Sequence, residues 1–372
     1  MANILDYVMW RGDIPLDQVQ LGEVDGLILS YLAYMPYDDL VPLSMQGEGV
    51  LLRDVANSLL QHEVIDARIL ANTEKEDREL LTLLAKSVRF GGLRMLGYVD
   101  YFDETGEEQF SAVTFLLPDD TAFIAFRGTD STLVGWKEDF NMAFSAEVPS
   151  QRDAVLYTEA LYDRRHVPLI LGGHSKGGNL AVYAGMFCRE DVRANVLGAF
   201  NFDGPGFNEE IASSPAFSSL IGRVYTYVTQ SSLIGILLWH KEPFTVIKSD
   251  SIGLFQHLVY TWQVMGGRFV RQEERSESSR FADDVLKSWL SEVTPQQRES
   301  FIDGVYSVIA AAQGKNLRDL FDGKSLLAML RAAGSLDGKT RSEVLDAIRL
   351  LGDAVKETAL GMLEERVRDK DA

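Results

Sequence analysis

The stretch Val167-Pro168-Leu169-Ile170-Leu171-Gly172-Gly173-His174-Ser175-Lys176-Gly177-Gly178-Asn179-Leu180-Ala181 decides how this chain is read. A short apolar run ends in Gly173-x-Ser175-x-Gly177, and a helix-forming run of small residues follows. Strand, sharp turn and helix are the context that lifts G-x-S-x-G above coincidence. Glycine and serine are common, so the same letters in a plain strand–helix turn would carry no chemistry. The residues flanking Ser175 must be small if strand and helix backbones are to approach each other. The serine hydroxyl then stands at a helix N-terminus, where backbone N–H groups can receive a developing oxyanion.

Working outward, strand and helix signals alternate on both sides of this turn. Residues 95–102 and 110–117 alternate like strands, 118–120 are a turn, and 122–126 form a buried strand. Residues 133–144 and 154–162 read as helices. Beyond the turn come helix 179–188, strand 196–202, helix 209–220 and strand 224–228. Such alternation predicts βαβ units, an α/β fold whose mostly parallel sheet carries helices on both faces. The first 90 residues read as helical and mixed, with an amphipathic helix over 25–34 and another over 76–86. From about residue 271 the pattern turns helical and charged. Thr294-Pro295 is a helix start, with threonine as cap and proline in the first turn, and 342–367 is a long amphipathic run. The expected organisation is a hydrolase-like domain over 1–270 and a helical C-terminal region over 271–372.

Bulk properties exclude several function classes. The chain has 372 residues, with Lys plus Arg at 36 against Asp plus Glu at 55, a net charge of −19. An acidic balance of this size argues against nucleic acid and against anionic membrane surfaces as partners. No apolar run reaches the roughly 18 residues of a membrane span. The N-terminal residues Met1-Ala2-Asn3-Ile4-Leu5-Asp6 lack the basic and apolar regions of a signal peptide. The single cysteine, Cys188, rules out an internal disulfide and reads as a small core residue on the helix after the turn. A cytoplasmic location is the resulting expectation. There is no H-E-x-x-H, no cysteine cluster, no phosphate loop and no dinucleotide fingerprint, so no cofactor and no metal are expected.

A serine nucleophile needs a base, and the base needs an acid. In α/β-hydrolases both follow the serine, acid before histidine. Of His62, His166, His174, His240 and His257, only the last two lie beyond Ser175. His257 sits in a loop-like place after the last strands and is preferred. His240 ends an apolar run and reads as a helix C-terminal cation. His174 occupies the variable position of the turn and is expected to point away from the reaction. The acid must come from Glu190, Asp191, Asp203, Glu209, Glu210, Glu242 or Asp250. Asp203 directly follows the strand 196–202, at the sheet edge where open α/β sheets place their sites. An Asp–Gly turn without catalytic duty is the plainer reading of Asp203-Gly204, and Asp250 is the alternative acid. The Lys176 backbone N–H supplies one oxyanion donor, and Thr129, after Gly128 at the exit of strand 122–126, the second. The Lys176 side chain is expected to face solvent or a carboxylate.

Three blocks resemble fungal-type class 3 lipases: Ala125-Phe126-Arg127-Gly128-Thr129, Trp136-x-x-Asp139, and Gly172-Gly173-His174-Ser175-Lys176-Gly177-Gly178. The chain is closer still to a bacterial lipase-like group related to them, which carries stretches like 202–207, 230–235 and Gln256-His257. The resemblance spans about residues 20–265. It implies Ser175 as nucleophile, Thr129 as oxyanion residue and His257 as base. Class 3 lipases carry their acid after the next strand, where this chain has Ser231-Ser232. Asp203 instead resembles the acid placed one strand earlier in pancreatic-type lipases. The expected activity is cleavage of carboxylic esters, acyl lipids included, through a Ser-His-Asp triad. An acyltransferase or peptidase would use the same triad. A non-catalytic interaction protein retaining the fold is the alternative of another class. The apolar stretch 140–148 reads equally as a lid or as a core helix.

Overall fold

The computed structural model describes residues 1–65, 73–103, 108–129, 138, 142, 147–232, 234–276, 279, 280, 283, 338, 341 and 342. The helix expected over 133–144, most of the apolar stretch 140–148, and nearly all of the C-terminal helical region lie outside these residues.

An eight-stranded sheet forms the centre, and its spatial order follows the sequence: β1 (Val50–Leu51), β2 (Arg94–Asp103), β3 (Glu108–Leu116), β4 (Ala122–Phe126), β5 (Leu169–His174), β6 (Val196–Phe202), β7 (Val224–Thr229) and β8 (Phe244–Ile247). Strands β1 to β4 pair antiparallel, and β4 to β8 pair parallel. The parallel half is the part read from βαβ alternation, and it carries the site. Side chains of β4 divide by the two-residue period of a strand: Phe123 and Ala125 enter one apolar layer, Ala122, Ile124 and Phe126 the other.

The first layer is built by α1 (Ile4–Arg11), α2 (Glu23–Leu32), α3 (Leu52–Leu59) and α4 (Glu74–Lys86). The second comprises α5 (Pro149–Arg165), α6 (Lys176–Phe187), α7 (Glu190–Arg193), α8 (Glu209–Ala212) and α9 (Pro215–Leu220). Helices therefore cover both faces, as the sequence predicts. Helix α2 is not amphipathic as expected. Every residue from Val24 to Leu32 is buried, because the helix lies on β4 and β5 and is itself packed by α1. Its buried Asp25 is balanced by Arg89, with guanidinium–carboxylate contacts of 2.7 and 2.5 Å, and by the Tyr7 hydroxyl at 2.8 Å. The helix expected over 209–220 is two short ones. Ser214 caps α9 by accepting from Phe217 N, and Pro215, which lacks an N–H, starts it.

A small ribbon, β9 (Val264–Met265) with β10 (Arg268–Phe269), follows the sheet. Cys188 is buried directly after α6. Among the described residues, no helix is long and apolar enough to cross a membrane.

Candidate active site

Strand β5 ends at His174, α6 begins at Lys176, and the whole reversal falls on Ser175. Ser175 has φ 58° and ψ −135°, a conformation that strains any residue with a side chain. Sterics around it enforce the turn. A Cβ on Gly173 would lie 2.1 Å from the Gly177 carbonyl carbon and oxygen, and one on Gly177 would lie 2.1 Å from the Phe126 oxygen. The Ser175 N–H donates to the Phe202 carbonyl at 3.0 Å, which fixes the serine beside the end of β6.

Asp203 is the next residue after β6 and also takes a left-handed φ, 54°. Its N–H donates to the Tyr227 carbonyl at 2.8 Å, locking the turn to β7. The carboxylate is 1% exposed. Its Oδ2 lies 2.7 Å from His257 Nδ1, and its Oδ1 accepts from the Thr229 N–H at 3.4 Å. A carboxylate only accepts, so Nδ1 carries the proton and Nε2 is left as the basic nitrogen. The carboxylate thus reaches from β6 into the space beyond β7. There Ser232 uses its Oγ to accept from Gly235 N at 2.8 Å, and a Cβ on Gly235 would lie 2.3 Å from Asp203 Oδ1.

His257 ends a 3₁₀ turn, Gly253–His257, that is tied down on several sides. The buried Gln256 side chain accepts from Ser231 N–H at 2.8 Å and donates to the Ser251 carbonyl at 2.8 Å. Trp262 Nε1 donates to the Gln256 carbonyl at 2.8 Å. The His257 carbonyl is itself held by His174 Nε2 at 2.8 Å. His174 therefore does not point away, as its sequence position suggests. It is 1% exposed, with its ring 4.4 Å from that of His257. Burial, and then the neighbouring His257, hold its basicity well below that of an ordinary histidine.

The other candidates lie elsewhere. Asp250 accepts from Gln263 Nε2 at 2.5 Å and pairs with the Met1 amino group at 3.2 Å. Glu242 stands 2.9 Å from His240 Nδ1 and accepts from Thr226 at 2.7 Å. Burial opposes the Glu242 charge, yet the His240 and Thr226 hydrogen bonds keep its carboxyl below the usual range. His240 ends no helix, so the dipole reading of it fails. Asp191 is exposed on the Arg189 cluster, Glu209 and Glu210 lie in the first turn of α8, and Glu190 starts α7. His166 is the left-handed C-cap of α5, and His62 follows α3 in an exposed turn.

Thr129 is buried at the exit of β4, next to Gly128. A Cβ on Gly128 would lie 2.9 Å from Ser175 Cβ and 2.6 Å from the His174 oxygen, so this segment runs directly against the serine turn. The Lys176 side chain turns back into the protein. Its Nζ meets Glu138 Oε2 at 2.7 Å and the Gln109 carbonyl at 2.8 Å. Glu138 also accepts from Ser150 N at 3.0 Å and Gln109 N at 3.2 Å. The carboxylate expected opposite Lys176 is thus Glu138, which the sequence reading passed over although it sits inside the Trp136-x-x-Asp139 block. Among the described residues, no group of three or more His, Cys, Asp or Glu is placed to hold a metal ion.

A model of the Mbeg1-like family matches residues 84–307, more than half of the chain. The match starts later and ends later than the lipase resemblance drawn from the sequence blocks. Rhizomucor miehei lipase in its propeptide complex is 17% identical, over 42% of this chain and 57% of that chain, with a TM-score of 0.33. Less than two thirds of that lipase therefore has a counterpart here. Lipase II from Rhizopus niveus is 17% identical over 46% of this chain and 70% of that chain, and M37 lipase 15% identical over 56% and 68%, each with a TM-score of 0.33. No curated protein matches the sequence.

Proposed function

The chain belongs to the Mbeg1-like family, and from that premise we propose that it is a serine hydrolase of carboxylic esters, acyl lipids among them. Ser175 is the nucleophile, His257 the base and Asp203 the acid. The observation that carries this reading is the 2.7 Å contact of His257 Nδ1 with the buried Asp203 carboxylate, placed beside a serine in strained left-handed backbone.

In the proposed reaction, His257 Nε2 takes the Ser175 hydroxyl proton as Oγ attacks the ester carbonyl carbon. The carbonyl electron pair moves onto oxygen, and the Lys176 and Thr129 backbone N–H groups receive that charge. Asp203 stabilises the imidazolium without taking its proton. Collapse of the intermediate expels the alcohol, which takes the proton from His257 and leaves an acyl-serine. Water, deprotonated by His257, repeats the sequence and frees the acid.

The test is a panel of p-nitrophenyl esters of graded acyl length, with fluorophosphonate labelling alongside. The wild type should turn over esters and take the label at Ser175, and Ser175→Ala should lose both. A folded wild type that neither labels nor turns over any ester overturns the reading and favours a non-catalytic binding role.

A further inference from the structure

We infer that His174 is a second histidine that positions the catalytic one, and that Tyr34, in the turn just past α2, completes this support. The inference rests on the hydrolase reading above. The Tyr34 hydroxyl lies 3.1 Å from His174 Nδ1 and 3.3 Å from the His174 carbonyl. On the other side of the ring, Nε2 lies 2.8 Å from the carbonyl oxygen of His257. A carbonyl only accepts, so Nε2 must bear the hydrogen. In the neutral ring that burial favours, Nδ1 carries no hydrogen and is the acceptor for the Tyr34 hydroxyl. Both ring nitrogens are satisfied in one neutral tautomer, and the choice is made by the partners.

Two consequences follow for His257. Its backbone is anchored from the serine side, so base and nucleophile are referenced to the same strand end. Its ring also lies against a neutral neighbour, centroid to centroid 4.4 Å at 35°. That matters because His257 must become cationic during attack. A second cation at this distance in a buried setting would oppose the imidazolium directly. The ionisable groups that face His174 include Tyr34 from the turn after α2, with Tyr31 behind it at 5.6 Å between rings, His257 from the 3₁₀ turn, and Asp203 across the His257 ring. Trp262 closes the remaining side at 6.0 Å and carries no charge. Burial keeps the histidine neutral, and Asp203 is already engaged with His257.

Two substitutions separate this role from simple packing. Gln places an amide N–H near the position of imidazole Nε2, whereas Leu fills space without a donor. His174→Leu should lower kcat on the order of 10- to 100-fold, the size of effect expected from a misplaced catalytic group. KM should stay within about twofold, and His174→Gln should recover most of the loss. Rates are taken per fluorophosphonate-reactive serine, so loss of folded protein does not count. Independently, ¹⁵N NMR of histidine-labelled protein, with the signal assigned by its disappearance in His174→Gln, should show His174 as the Nε2–H tautomer. That signal should stay flat from pH 5 to 9. An active wild type whose His174→Leu variant keeps full kcat overturns this proposal alone. So does a His174 signal that titrates or shows the Nδ1–H tautomer. A wild type inert towards all esters takes down the hydrolase reading as well.

Discussion

At the residue scale, the site depends on a few side chains whose removal has different and measurable costs. Asp203→Asn keeps the shape but offers His257 Nδ1 an amide. By the serine-protease precedent, kcat should drop about 10⁴-fold. Steady-state assays on the folded variant check it, and a drop below tenfold would remove Asp203 from the acid's role. Lys176→Met leaves Glu138 buried without its cation, since both side chains are 1% exposed. Breaking such a pair from one side costs about 3–5 kcal/mol, so denaturant titration should show a large loss of stability. His174 adds a pH signature. Its folded basicity is depressed, so an unfolded chain takes up a proton below about pH 6.5 that the folded chain refuses. Its contribution to stability is complete above that pH and is lost as pH falls. Urea midpoints from pH 7.5 down to 5 should decline, and less steeply in His174→Gln. That Asp203 directly follows a strand and that His257 follows the parallel strands is legible from chain order and strand ends. Glu138 and Tyr34 are not, because nothing local in a helical run marks which side chain will meet a lysine or histidine on another element.

At the element scale, the N-terminal helices are part of the site's frame even though the family match begins only at residue 84. Asp77 of α4 shows why. Its carboxylate accepts from Tyr31 of α2 at 2.8 Å, from Tyr260 at 2.6 Å and from Thr73 at 2.8 Å. Tyr260 lies in the 3₁₀ turn Val259–Thr261 that directly follows the His257 turn. Asp77→Asn would set amide hydrogens against hydroxyl donors and leave buried groups unpaired, at about 1–3 kcal/mol. Thermal unfolding should shift down, and ester turnover should fall with it while Ser175 remains labelled. Unchanged turnover would show that α4 supports only the core. The central strands and α6 were readable from the sequence because they are apolar, short and bounded by turn residues. α1, α3 and β8 were not, since their apolar residues are few and their signals short. The split between α8 and α9 was marked by Ser214-Pro215 and was outweighed by a continuous-looking helical pattern.

At the scale of the whole molecule, the chain past β8 is stitched to the sheet body well beyond the ribbon. Phe269 N donates to Glu23 at 2.8 Å, Gln272 N to the Val246 carbonyl at 2.9 Å, and Ser276 N to the Gln230 carbonyl at 2.7 Å. Ser279 Oγ reaches the Ser232 carbonyl at 3.0 Å, and Arg275 pairs with Asp283 at 2.8 Å. The sheet body therefore extends at least as far as Asp283. A chain ending at Gly267 loses every one of these contacts and should precipitate or unfold. Solubility and circular dichroism of that truncation decide it. The compositional change near residue 271 was visible in the sequence, but backbone hydrogen bonds to a distant strand leave no compositional trace. The pairs that build the site are also far apart along the chain: 54 residues separate Asp203 from His257, 140 separate Tyr34 from His174, and 183 separate Asp77 from Tyr260. Contacts of such span form late, because loop closure must precede them. During synthesis from the N-terminus, Ser175 leaves the ribosome long before the histidine that would arm it exists in folded form. On the proposed mechanism the nascent chain is chemically silent, and a molecule cut short before residue 257 is a scaffold without a reaction.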